Sequence, residues 1–190
     1  MRATATVAVL VLVLGACASS PDLDFYTLDM TPSGRAEPAV NLEVERFTVT
    51  GMLARDPIVV QHSETGIDFY ATDRWAASLG ELVERKLQAE LSPSREGRRT
   101  LVVGGEVIAC HQVDVPGGAE ARLALAVTIR EAGSPRRGQP LLAKTYEATR
   151  PAETASAGAV VRALSRAAED IAAEIAADAS ALPEPEIESE

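Results

Sequence analysis

Residues 119–131 read AEARLALAVTIRE. Leu123, Leu125, Val127 and Ile129 alternate strictly with smaller or polar residues. Successive side chains of a strand point to opposite faces, so this spacing predicts a strand with one buried face. The flanks supply its neighbours. LVVGGEVIACHQV (101–113) precedes it across PGG (116–118), and a third strand at 141–148 follows across GSPRRGQP (133–140). Long strands joined by short turns predict an antiparallel meander over about 100–114, 119–131 and 141–148. The Gly104–Gly105 pair reads as a bulge or a close packing point.

Outward from this meander, two helices are predicted. Val160, Val161, Leu164, Ala168, Ile171 and Ile175 form an apolar stripe along an Ala-rich helix over 156–180. Trp75, Leu79, Leu82, Val83, Leu87 and Leu91 share one face of another, with Thr72 or Asp73 capping its start and Pro93 following its end. Between residues 58 and 72 lie two strands around SETG (63–66), where Gly66 is able to take positive φ. Leu42 and Val44 alternate with Glu43 and Glu45, whereas Phe47 and Val49 follow the other parity, which predicts a bulge or bend near Arg46. DFYTLD (24–29) reads as a short first strand and MTPSGRAEPA (30–39) as a loop. Two striped helices and a one-faced sheet bury each other when the helices lie on the sheet. The expected fold is α+β, an antiparallel sheet of about five to six strands with two helices packed on it. The domain spans 24–182, and the acidic tail PEPEIESE (183–190) is expected to be disordered.

The chain has 190 residues, enough for one domain with a sizeable core, and a formal charge of −10. That charge gives no footprint for nucleic acid. His62 and His111 stand alone, without Cys or His at metal-ligand spacing, and the Gly pair is followed by neither a dinucleotide nor a phosphate-loop pattern. There is no GxSxG elbow. No catalytic residue, metal or cofactor is predicted, and the protein reads as one that binds, scaffolds or gates.

The first residues say where. Arg2 is followed by the apolar run VAVLVLVL (7–14), then small Gly15 and Ala16 before Cys17. The charged, apolar, small-residue order is that of a secretory signal, and the run is well below the roughly 20 residues that span a bilayer. LGAC (14–17) resembles the bacterial lipobox. The resemblance implies cleavage before Cys17, a diacylglyceryl thioether on its sulfur and an acyl group on its new amine. Residues 1–16 are then the signal peptide and 17–23 the lipidated Cys and tether. A single acyl chain holds only marginally and two or more hold firmly. Ala18, where Asp commonly retains such proteins at the inner membrane, implies the periplasmic face of the outer membrane. With Cys17 acylated, Cys110 has no partner within the chain, so no disulfide scaffold is expected. It reads as a buried small hydrophobe, with a reactive thiol as the alternative.

FYTLD (25–29), RFTVTGMLARDPIVVQ (46–61), FYATDRWAASLGELVERKLQAEL (69–91) and the closing Ala-rich helix resemble, in that order, the ABC-type transport auxiliary lipoproteins, a group that includes the paraquat-inducible-protein C lipoproteins. The features that carry the resemblance are Tyr26-Thr27-Leu28, Leu53, Arg55, Ile58-Val59, Tyr70 and Arg74-Trp75. One departure is Ala54-Arg55-Asp56-Pro57, where the family often shows Asp-Arg-Pro. The resemblance implies a non-enzymatic component of an ABC/MCE-type system moving lipid between membranes, partnered by a mammalian-cell-entry (MCE) domain protein and its ABC transporter. A structural lipoprotein assisting another envelope complex is the alternative. A ring-like homo-oligomer is conceivable beside a ring-like MCE partner, though no residue here requires it. Candidate partner-binding residues are Leu53, Arg55 and Trp75, with the turn at 51–57 and the hairpin tip at 62–66 as docking loops. For Trp75 a core position is the other reading.

Overall fold

The computed structural model describes residues 21–92, 95–135 and 138–184. In chain order the elements are β1 (Asp24–Tyr26), β2 (Asn41–Val44), β3 (Thr48–Val49), a one-turn 3-10 helix (Gly51–Ala54), β4 (Pro57–Gln61), β5 (Ile67–Trp75), α1 (Leu79–Leu91), β6 (Thr100–Val115), β7 (Gly118–Glu131), β8 (Leu142–Pro151) and α2 (Ala157–Ser180). Signal segment, Cys17 and all but the first two residues of the acidic tail lie outside the described residues.

The predicted meander is present. β6 and β7 pair antiparallel from Leu101↔Glu131 to Val115↔Gly118, and β7 and β8 from Glu120↔Pro151 to Ile129↔Leu142. Pro116 and Gly117 close the first turn, with Gly117 at φ +85°, as the third position of a type II turn requires.

The sheet as a whole corrects the expectation of a purely antiparallel one of five to six strands. It has eight strands and is mixed, with lateral order β1-β5-β4-β6-β7-β8. β2, β3 and β4 all pair with the other edge of β6, and all run parallel to it: Asn41↔Thr100 to Val44↔Val103, then Thr48↔Glu106, then Val59↔His111 to Gln61↔Val113. They share one lane, so eight strands fill six lanes. The physical reason is that residues 41–61 keep one direction and reverse only at 62–66. β1 also pairs parallel, with β5. The bend expected near Arg46 is the gap between β2 and β3. It restores the buried side to Phe47, which is 2% exposed.

α2 packs across β6, β7 and β8, while α1 lies against β2, β3 and α2. Leu123, Leu125, Val127 and Ile129 bury completely or nearly so, with Val160, Leu164, Ala168, Ile171 and Ile175 of α2 in the same core. Each buried aliphatic side chain contributes about 1.5–3 kcal/mol. Alanines along α2 let its backbone approach the sheet.

Over the helices runs a third layer, the strap of residues 27–40. Its own Leu28 and Ala36 are buried. The Asp29 N–H donates to Ser165 Oγ (3.0 Å) and that of Ala39 to Ser180 Oγ (2.8 Å), while Arg35 pairs with Asp170 (2.5 Å). Its centre is fixed by the fully buried Lys86, whose Nζ donates to Glu90 (2.6 Å) and to the Thr31 carbonyl (3.2 Å) and lies 3.4 Å from Glu169. Glu90 also accepts from the N–H of Ser33 (3.0 Å) and from its hydroxyl. Burial opposes the charge on Glu90, but these hydrogen bonds outweigh it and hold its pKa below the usual carboxylate value.

Two local expectations are corrected. α1 begins after Ser78, not at Thr72 or Asp73, so Trp75 ends β5 and does not open the helix. Neighbours on both sides hold it extended: the Trp75 N–H donates to Asp56 (2.8 Å) and the Ala76 N–H to Tyr26 (2.8 Å). Gly66 does not take positive φ. It is small because a Cβ would lie 2.3 Å from the His62 ring.

Candidate docking surface

Leaving β3, the chain turns at Gly51, whose φ of +59° falls in the left-handed region glycine adopts freely. One 3-10 turn follows, closed by the Arg55 N–H on the Met52 carbonyl (3.3 Å). Pro57 then keeps Asp56 extended and starts β4. The turn fills the break between β3 and β4, and its side chains divide. Leu53 is buried, 7% exposed, whereas Met52 is 44% exposed.

Leu53 separates two hollows. One, of about 290 Å³, is bounded by Phe47, Val49 and residues 77–80 at the start of α1. Gly80, which lines it, lets the helix approach closely; a Cβ there would sit 2.1 Å from the Phe47 carbonyl. The other, of about 370 Å³, is lined by Thr50, Met52, Glu106, Val107 and Ile108. Ile108 is the bulge residue of β6. Pairing passes from Val107↔Leu125 to Ala109↔Ala124 and leaves Ile108 outside the register, 52% exposed. Gly105 is a close packing point, as its sequence suggested, since a Cβ would meet the Ala126 carbonyl at 1.9 Å. The result is an apolar ridge and groove, formed by Met52 of the turn and Ile108 of β6. Thr50 Oγ1 donates to Glu106 (2.9 Å) at its rim.

Of the residues singled out from sequence, Leu53 and Arg55 meet here. Leu53 supports the surface from below, and the Arg55 guanidinium lies over the Phe69 ring, 4.4 Å from its centroid. Trp75 is 5% exposed, so its core reading holds and its partner-binding one does not. Arg74, beside it, donates to the carbonyls of Tyr70, Ala71 and Asp73 and satisfies the irregular stretch of β5. Sequence reading missed Met52 and Ile108. A signal existed for Ile108: inward-facing Val103 and Val107 are odd-numbered and Cys110 is even, which requires one extra residue between them.

The perturbed titratable groups are explained by packing. Cys110 is fully buried and burial pushes its thiol up to about 12, the inert reading. Burial lowers His111, whose Nε2 lies 3.1 Å from Gln61. Burial, with Asp73 and Asp114 nearby, takes Tyr70 up to about 12, and its hydroxyl donates to Gln112 (2.5 Å). Among the described residues no group of His, Cys, Asp and Glu could hold a metal ion. No described helix is long and apolar enough to cross a membrane.

A family model described as the ABC-type transport auxiliary lipoprotein component matches residues 26–176. A solved structure from Xanthomonas campestris, of the DUF330 family, has a similar fold at 15% identity with a TM-score of 0.60, covering 81% of this chain and 92% of that one. A second, of an uncharacterized protein, gives 0.59 at 18% identity and covers 83% of this chain and 99% of that one. No curated protein matches.

Proposed function

The chain belongs to the ABC-type transport auxiliary lipoprotein family, and from that premise we propose that it is the non-enzymatic outer-membrane lipoprotein of an ABC/MCE-type lipid transport system. It docks the periplasmic transport assembly at the outer membrane. The observation that carries this reading is the groove beside the 3-10 turn. Exposed Ile108 sits on a bulged strand held rigid on its other edge and exposed Met52 on the turn beside it, with Leu53 buried behind them. Large exposed apolar side chains on a fixed frame suit the centre of a protein interface, and Met adapts to irregular partners. Anchoring comes from acyl groups on Cys17, and Ala18 directs the protein outward.

The test is expression of the full-length protein and its Cys17→Ala form in the native host, followed by membrane fractionation and identification of co-purifying proteins. An MCE protein retained with the native form in the outer membrane, and an unanchored variant, are the expected results. An anchored protein that captures no transporter component sinks the transport role and favours a structural lipoprotein. If both forms are soluble, the anchor is wrong.

A further inference from the structure

The end of the strap, the end of α2 and the loop before β6 meet around one hollow. It holds about 310 Å³ and lies between strap residues 34–39 and the side chains of Ser92, Arg95 and Arg98. Asn41 clamps the loop. Its side chain accepts from the Arg95 N–H (2.7 Å) and donates to the Arg95 carbonyl (2.9 Å). The Arg95 guanidinium is exposed and has no partner among the described residues. Arg98 donates one N–H to the Pro38 carbonyl (3.0 Å), which leaves other donors on its fork. Ser92 Oγ accepts from Gln88 (3.1 Å), so its own O–H is left to donate. α2 delivers the chain to this place. Ser180 Oγ accepts from the N–H of Ala39 in the wall of the hollow (2.8 Å), and Arg99 donates to the Pro183 carbonyl (2.7 Å). Beyond Pro183 the sequence reads EPEIESE (184–190), with Glu at every second position.

We propose that the hollow seats this acidic segment of the same chain, with the carboxylates of Glu186 and Glu188 on the Arg95 and Arg98 guanidiniums and the Ser92 hydroxyl. Position and charge both select this occupant. From Pro183 to Glu188 the chain spans at most about 18 Å at 3.3–3.6 Å per residue, and at Ser180 it already touches the wall of the hollow. Alternate residues of an extended chain share a side, so the two Glu can face the arginines together. A segment this acidic builds no core of its own and binds through its carboxylates. Exposed ion pairs are individually weak. The tether compensates, because a short link gives its end an effective concentration in the millimolar range. Glu37 in the wall and Glu96 beside Arg95 oppose the pairing, so the seat is a loose one and salt undoes it.

The experiment uses the full lipidated protein in detergent micelles with a nitroxide on Ser189→Cys; Cys110 is too buried to react, and mass spectrometry checks that a single label is present. The spin-label spectrum reads how freely the segment moves. Loss of amide NMR intensity near the nitroxide reads where it sits. At low salt a broad spectrum is expected, with the amides of residues 34–39 and 95–98 losing the most intensity. Arg95→Gln should sharpen the spectrum and restore those amides, and so should Glu186→Gln with Glu188→Gln. Salt at about 1 M, where the screening length is roughly 3 Å, should do the same. Arg95 is exposed, so its replacement leaves the fold intact. A sharp spectrum in the labelled parent at low salt overturns the docking. A broad spectrum that ignores salt and both sets of Gln changes overturns the charge pairing. A broad spectrum with its strongest losses at other amides overturns the site.

Discussion

β6 has two edges, and they are built differently. Along one, β7 pairs with it continuously over nearly its whole length. Along the other, three short parallel segments cover residues 100–103, 106–107 and 111–113, with the 3-10 turn between the last two. The continuous edge satisfies backbone groups in register and buries its inward side chains under α2. The broken edge leaves gaps, and the exposed Met52 and Ile108 stand at one of them. Stability concentrates on one side of the strand and a surface suited to recognition on the other, and the strand that both share keeps that surface rigid.

Substitutions can test this division. Gly105→Val places a branched side chain against the Ala126 carbonyl, where even a Cβ would lie at 1.9 Å. It should destabilise by more than about 4 kcal/mol in urea unfolding; a wild-type midpoint would show that the β6–β7 ladder is not what holds the sheet. Lys86→Met, remote from both edges, leaves Glu90 buried without its cation and should cost about 3–5 kcal/mol. The folded pKa of Glu90 is lowered, so its contribution is complete above the ordinary carboxylate range and is lost as pH falls through the lower, folded value. The stability of Glu90→Gln should therefore fall less steeply on acidification, and an unchanged acid limb would refute the coupling. Gly80→Ala pushes α1 off the Phe47 carbonyl at the broken edge and should cost about 1–3 kcal/mol. Arg122→Ala removes an exposed pair with Glu147 (2.7 Å) beside the continuous edge. About 0.2–1 kcal/mol is expected, fading in high salt. Met52→Ser with Ile108→Ser should shift stability by no more than about 0.5 kcal/mol yet abolish capture of the transport partner. Full capture by that double variant would remove the groove from the interface.

Sequence periodicity disclosed what is local. The alternation in 119–131 and the stripe in 156–180 each match an observed element to within about a residue. Parallel pairing of residues 41–61 with β6 was not legible, because two short runs some 60 residues apart carry no mark of their mutual direction. Trp75 misled for a physical reason. Its spacing from Leu79 continues the stripe of α1, but an inward residue at a strand's end shares that core without belonging to the helix. At the candidate site, Leu53 and Arg55 were reached through resemblance to a family. Met52 and Ile108 were passed over because an exposed apolar residue looks like a core residue until its neighbours are known.

The strap over the helices has a mechanical consequence. A pull on the chain ahead of Asp24 runs along the axis of β1 and loads its bonds to β5 together, in shear, and does not peel them one at a time. Behind β1 the strap is bolted across both helices, at Ser165, at the buried Lys86–Glu90 pair, at Asp170 and at Ser180. Traction on the amino terminus therefore meets a series of fasteners before it reaches the helix–sheet core, and the domain can be tugged by a tether without being unravelled by it.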